Sequence, residues 1–115
     1  MIVEVLYRRE SCLVRRLILE PGEATPWHRD VCQRVSVVLS GTALEIEYRD
    51  GQNRDRIKVS AGQVDWDERT EGIHRAINVG RGPHEEVTTF SSTDRPASGG
   101  AVSAMASKQC DHLLR

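Results

Sequence analysis

The chain has 115 residues, 29% of them charged, and a formal net charge of −1 at neutral pH. That length suits one domain with a single core and leaves no room for a second. Sixteen basic residues balanced by 17 acidic ones exclude the one-signed charge footprint of a nucleic-acid binder and give no acidic tail.

In chain order, Ile2 to Tyr7 is β-branched and aromatic enough for a strand, which the charged stretch Arg8 to Ser11 interrupts. Leu13 to Leu19 is the next strand; Leu13, Leu17 and Leu19 alternate with Val14 and Ile18, so both faces are apolar. Burial on two faces, or contact with a second copy of the chain, would satisfy that pattern. A turn at Pro21-Gly22 leads to Trp27, His28 and Asp30, and a second β-rich run, Val35 to Leu39, stops at Ser40-Gly41. Thr42 to Tyr48 alternates as a half-buried strand, with Leu44, Ile46 and Tyr48 on one side. Asp50-Gly51 is a hairpin signal, and Arg54 to Val59 is its returning partner. After Ala61-Gly62, Val64 to Trp66 begins a short strand. The polar segment Asp65 to Gly72 is placed as a surface loop. Ile73 to Val79 and Glu86 to Phe90 are the last strands, parted by the turn-rich Gly80 to Pro83. Short strands punctuated by turns, with no amphipathic helix before residue 100, predict an all-β sandwich or barrel over residues 1–90. From residue 91 the composition turns to Ser, Thr, Ala, Gly and Pro, a C-terminal tail in which Ala101 to Arg115 is at most a short helix.

Alternate residues of an extended segment share a face, so His28 and Asp30 point the same way, and Arg34 can join them if the next strand folds back. An imidazole, a carboxylate and a guanidinium on one inward face mark the place to look for chemistry. Trp27 and Trp66 can wall a small-molecule pocket there, or serve as ordinary packing aromatics. Cys12, Cys32 and Cys110 are an odd number at wide spacing without Cys-x-x-Cys, which argues against a disulfide scaffold and suits a reducing cytoplasm. Cys32 reads as a buried small hydrophobe. His84 and His112 read as exposed polar residues, and Tyr48 as a packing residue. Charges arrive early in Met1 to Arg9 and no apolar run approaches membrane-spanning length, so a soluble cytoplasmic protein is expected.

Two motifs carry a resemblance to the cupins. Gly22, His28, Arg34 and Gly41 fall at the spacing of that family's first motif, with Asp30 where a second His belongs and Arg34 where a Glu belongs. Gly62 and the run from His74 to Asn78 resemble the second, so the two together span roughly residues 14 to 90. The resemblance implies a double-stranded β-helix (jelly-roll) barrel whose motif histidines face inward and bind a divalent metal. His28 and His74 match ligand positions, Asp30 replaces a ligand His, Arg34 replaces a ligand Glu, and Asn78 matches a motif position that is not a ligand.

Read from the residues, His28, Asp30 and His74 can form a two-His, one-carboxylate face suited to Fe, Mn, Ni or Zn. Against it, a fixed charge at Arg34 about 6 Å from a divalent ion would cost roughly 5 kcal/mol at an effective dielectric near 20. Arg34 can instead pair with Asp30 and satisfy both charges without metal, or reach past the metal to a ligand carboxylate. Two classes of function therefore stay open. One is a metal-dependent enzyme, dioxygenase- or isomerase-like, acting on a small anionic or polar molecule; the other is a metal-free module whose pocket binds such a molecule. The pocket is expected to open past Trp27 or the Asp67 to Gly72 segment. A homodimer through the N-terminal strands is expected, with neither nucleic acid nor membrane as partner.

Overall fold

The computed structural model describes residues 1–51 and 54–91. Among these, every regular element is a strand: β1 Ile2–Arg9, β2 Cys12–Leu19, β3 His28–Asp30, β4 Gln33–Ser40, β5 Ala43–Tyr48, β6 Arg54–Lys58, β7 Val64–Asp67, β8 Thr70–Asn78 and β9 His84–Ser91. They form a five-stranded sheet in the order β1-β2-β9-β4-β7 and a four-stranded sheet in the order β3-β8-β5-β6. Every strand pairing is antiparallel. The chain is thus an all-β double-stranded β-helix, the jelly roll expected from its alternation and turn spacing.

Local chemistry sets the punctuation. The β5–β6 hairpin turns at Asp50-Gly51, where Gly51 has φ +76° and donates its N–H to the Tyr48 carbonyl at 2.9 Å. A side chain with a Cβ is disfavoured at that φ, which is why Gly punctuates the run. Asn78 closes the barrel: it is 1% exposed, donates to the Leu19 and Gly82 carbonyls and accepts from Gly80 N–H, all at 2.9 Å. The motif asparagine therefore holds the end of β2 to the turn before β9.

The register of the larger sheet lays its inward side chains in rows. Leu13, Phe90, Arg34 and Asp67 form one row across β2, β9, β4 and β7; Arg15, Thr88, Ser36 and Asp65 form the next. Leu17, Glu86 and Val38 follow, then Leu19 beside His84. Two apolar clusters result, Leu13 with Cys32 and Phe90 at one end and Leu19 with Val38, Leu44 and Val59 at the other. Between them the interior is polar, which is how a barrel makes room for a ligand rather than only a core.

Three expectations need correction. The segment Asp65 to Gly72 is not one loop: β7 runs through Asp67 and β8 starts at Thr70, so only Glu68 and Arg69 lie between the two strands. His84 is not exposed but fully buried, because it opens β9 opposite Leu19 instead of ending the turn. Cys32 is disulfide-bonded rather than a free thiol, whereas Cys12 is free; the odd count and wide spacing of the cysteines gave no sign of a bridge. The expected tail and short helix lie past Ser91, outside the described residues. No described helix is long and apolar enough to cross a membrane.

Candidate functional site

The smaller sheet brings the two motif histidines together. His28 on β3 is the cross-strand partner of His74 on β8, and an irregularity before Asp30 lets that residue pair with Thr70. The imidazole centroids are 4.7 Å apart with planes tilted by 56°. One donor atom from each of His28, Asp30 and His74 lies within 4.8 Å of the others. Tyr48, next in the row on β5, places its ring 6.1 Å from that of His74 and donates its hydroxyl to Asp55 at 3.0 Å.

Asp30 is the hub. Its Oδ2 lies 2.7 Å from His74 Nε2 and 3.1 Å from Arg34 Nη2, and its Oδ1 lies 3.4 Å from His28 Nε2. Burial alone would raise its pKa, but the hydrogen bond with His28 and the charges of Arg34, His28 and His74 override that and hold it at about 2. The contact with Asp30 raises the His28 pKa above its usual value against the opposing effect of burial, and the Pro26 carbonyl adds to the rise. Arg34 reaches across from β4 and is anchored there: beyond Asp30 it donates to the Glu68 carbonyl at 3.4 Å and stands 3.9 Å from Asp67. Burial raises the Asp67 pKa despite the nearby Arg34 charge.

The outer nitrogens of both rings decide what the centre can hold. His28 Nδ1 lies 2.7 Å from the Pro26 carbonyl oxygen and His74 Nδ1 lies 2.8 Å from that of Gly72. A carbonyl only accepts, so each Nδ1 carries the proton and each Nε2 is left with a lone pair. Those lone pairs face a carboxylate, which also only accepts. Something positive must stand among the three groups, either a second proton on a ring or a cation. Protonating both rings would crowd two imidazolium ions and Arg34 around one carboxylate. A divalent ion bonded to both Nε2 atoms and a carboxylate oxygen satisfies all three acceptors, with the rings oriented through Nδ1 as metal-bound histidines usually are. The residues present therefore fit a metal.

The sequence-predicted tryptophans stand elsewhere. Trp27 alternates with His28 and lies under the Arg75 guanidinium, 4.5 Å from its ring centroid, on the outer side of the sheet. Trp66 alternates with the inward Asp67 and is 61% exposed, bonded through its indole N–H to Glu68 at 2.9 Å. Neither walls the cluster. Sequence reasoning missed four interior polar residues, Arg15, Ser36, Glu86 and Thr88. For Arg15 the signal was present: it fills the one gap in the inward series Leu13, Leu17, Leu19.

The fold and the His-Asp-His centre together define a small protein of cupin architecture that can hold a metal. No family profile and no curated protein matches the sequence. Solved structures do. A cupin domain from Bordetella pertussis Tohama I is 22% identical with a TM-score of 0.70, over 78% of this chain and 91% of that one. A protein with a double-stranded β-helix domain from Klebsiella pneumoniae is 23% identical with a TM-score of 0.61, over 78% of this chain and 75% of that one. Oxalate oxidase, solved in complex with the substrate analogue glycolate, is 22% identical with a TM-score of 0.54, over 70% of this chain and 42% of that one.

Proposed function

We propose that this chain is a divalent-metal-binding cupin that binds, and in its metal-loaded form acts on, a small anionic or polar molecule inside the barrel. The observation that carries this reading is the meeting of three acceptors, His28 Nε2, His74 Nε2 and the Asp30 carboxylate, with both Nδ1 atoms on main-chain carbonyls. His28, Asp30 and His74 are the ligands, and Fe, Mn, Ni or Zn suits them. A bound ion supplies Lewis acidity toward an oxygen of the captured molecule. Arg34 neutralises Asp30 from the facing sheet through Oδ2, the oxygen that also faces His74. Oxalate oxidase, which shares the fold, is a precedent for a small carboxylate in such a barrel.

Metal analysis of untagged protein supplied with each of the four ions tests this, before and after His74→Ala. Near-stoichiometric metal that disappears in the variant is expected; absence of metal under every supply sinks the proposal. The Asp30 to Arg34 contact at 3.1 Å favours a second reading, a metal-free module that binds the same kind of molecule. Under it, ligand binding survives exhaustive chelation unchanged.

The proposal extends to a homodimer formed through β1. That strand has only β2 as a neighbour and exposes Ile2, Val3, Val5, Leu6 and Tyr7 by 44–53%, an open apolar edge that a second copy can pair with. Light scattering should give twice the 12.9 kDa chain mass, and a single-chain mass would refute it. The cytoplasmic location expected from the cysteine spacing stands against the Cys32 disulfide, and cell fractionation checks it.

A further inference from the structure

We infer that Arg15 is the anion-recognising residue of the interior site, and that the molecule taken there is a small carboxylate seated between its guanidinium and the His28, Asp30, His74 centre. The inference rests on the reading of the interior as a ligand site, and it does not depend on the metal.

Arg15 is placed by register. It shares the inward parity of Leu13 and Leu19, which are 2% and 0% exposed, and its row contains Thr88 and Ser36. Its guanidinium carbon lies 4.7 Å from the Phe90 ring centroid, one row nearer the histidines. Stacking on an aromatic face fixes the plane of the fork and leaves the N–H edge for a partner in that plane. Burial lowers its pKa, while the charges of Glu86 and Asp30 oppose that. An arginine remains charged in any case.

What distinguishes Arg15 from Arg34 is the absence of a partner. Among the described residues its side chain makes no hydrogen bond and no ion pair, and its guanidinium lies over the Phe90 ring. The two carboxylates that face it are already committed. Asp30 is held by His74, Arg34 and His28. Glu86 is held by His84 at 2.8 Å and by the Thr88 hydroxyl at 2.9 Å. None of its nitrogens is among the buried unpartnered atoms of the described residues, so the N–H groups point to where solvent reaches, and a ligand carboxylate can take the place of water by accepting two parallel N–H bonds. The hydroxyl groups of the same row are spent on each other and on Glu86, Ser36 lying 2.9 Å from Thr88 and Thr88 donating to Glu86 at 2.9 Å, so the guanidinium is the donor that row has to offer. Arg34 is already paired with Asp30 at 3.1 Å, which leaves Arg15 the more available of the two interior arginines.

Calorimetric titration of the full chain with glycolate, and with glycolamide as its neutral counterpart, tests this in wild type, Arg15→Met and Arg15→Lys, alongside Mn²⁺ titration of each. Methionine keeps apolar contact with Phe90. Glycolate affinity should fall by about ten-fold or more in Arg15→Met and recover in part in Arg15→Lys, while glycolamide binds wild type about ten-fold more weakly than glycolate. Mn²⁺ binding should not change. In wild-type protein the Arg15 side-chain Nε–H resonance should shift on glycolate saturation, a readout that needs no variant to fold. Undiminished glycolate binding by Arg15→Met, equal binding of the neutral amide, an unmoved Arg15 resonance or no glycolate binding at all each overturns the inference. Arg15-dependent glycolate binding without any Mn²⁺ binding supports it while removing the metal reading, so the two fail separately.

Discussion

The barrel contains two histidine–carboxylate pairs of nearly equal length, and they do different things. His74 and Asp30 meet at 2.7 Å, His84 and Glu86 at 2.8 Å. Around Glu86 the carboxylate has its donors in place: burial would raise its pKa, but His84, Thr88 and Ser36 together hold it down, while the outer nitrogen of His84, Nδ1, is buried without a hydrogen-bond partner among the described residues. His84 has no solvent exposure, and a Cβ on Gly41 would come within 2.6 Å of its Nδ1, so nothing else fits there. Around Asp30 there are a second imidazole, that of His28, which is 37% exposed, and an arginine, and the acceptors outnumber the protons the rings can comfortably carry. The same two residue types make a structural pin where the carboxylate's donors are supplied and the pair is sealed from water, and a candidate centre where the pair is reached by solvent and left short of one positive charge.

That contrast can be broken by experiment. The largest effects should be opposite in kind. His74→Ala should lower metal affinity by at least about 100-fold and cost stability by only about 1 kcal/mol. Glu86→Ala should leave metal binding intact and cost about 3 kcal/mol, since it strands a buried histidine. Metal analysis and urea unfolding of both variants decide it, and exchanged outcomes would dissolve the distinction. Gly41→Ala should cost nearly as much, about 3 kcal/mol by urea unfolding, because φ is +141° and the new methyl meets His84.

Acid titration sharpens the open centre next. The Asp30 pKa is depressed from 3.8 to about 2, so in metal-free protein its contribution is present above pH 4. That contribution, about 2 kcal/mol, is lost as pH falls through the folded value. His28 works in the reverse direction: its pKa is raised above 6.5, so its contribution is full below that pH and fades as pH rises through the folded value. Asp30→Asn should abolish both dependences, as stability measured against pH will show; persistence of either would place the titrating group elsewhere. The smallest change expected is Ser36→Ala, about 1 kcal/mol by urea unfolding, because Thr88 retains Glu86 as an acceptor partner.

Much of this protein was legible in one dimension. Alternation at Leu44, Ile46 and Tyr48, the Asp50-Gly51 turn and the paired parity of His28 and Asp30 are local properties, fixed by the two-residue period of a strand and the φ that glycine permits. They were enough to give an all-β barrel with an imidazole and a carboxylate on one face. Parity without register was not enough for Trp27 and Trp66, which lie next to inward residues and therefore face outward. His84 was misread because a turn-rich sequence precedes it, and only its pairing with Leu19 shows that the strand has already begun.

The sequence by itself determined which side chains can share a face, since that depends on neighbours one and two residues away. Tertiary structure alone decided which faces meet. It set His74 against Asp30, 44 residues earlier, committed Arg34 across the barrel to that same carboxylate, and left Arg15 as an interior cation without a hydrogen-bond acceptor among the described residues. Those outcomes follow from the register between distant strands, and register is fixed by the summed burial and hydrogen bonding of the whole sheet.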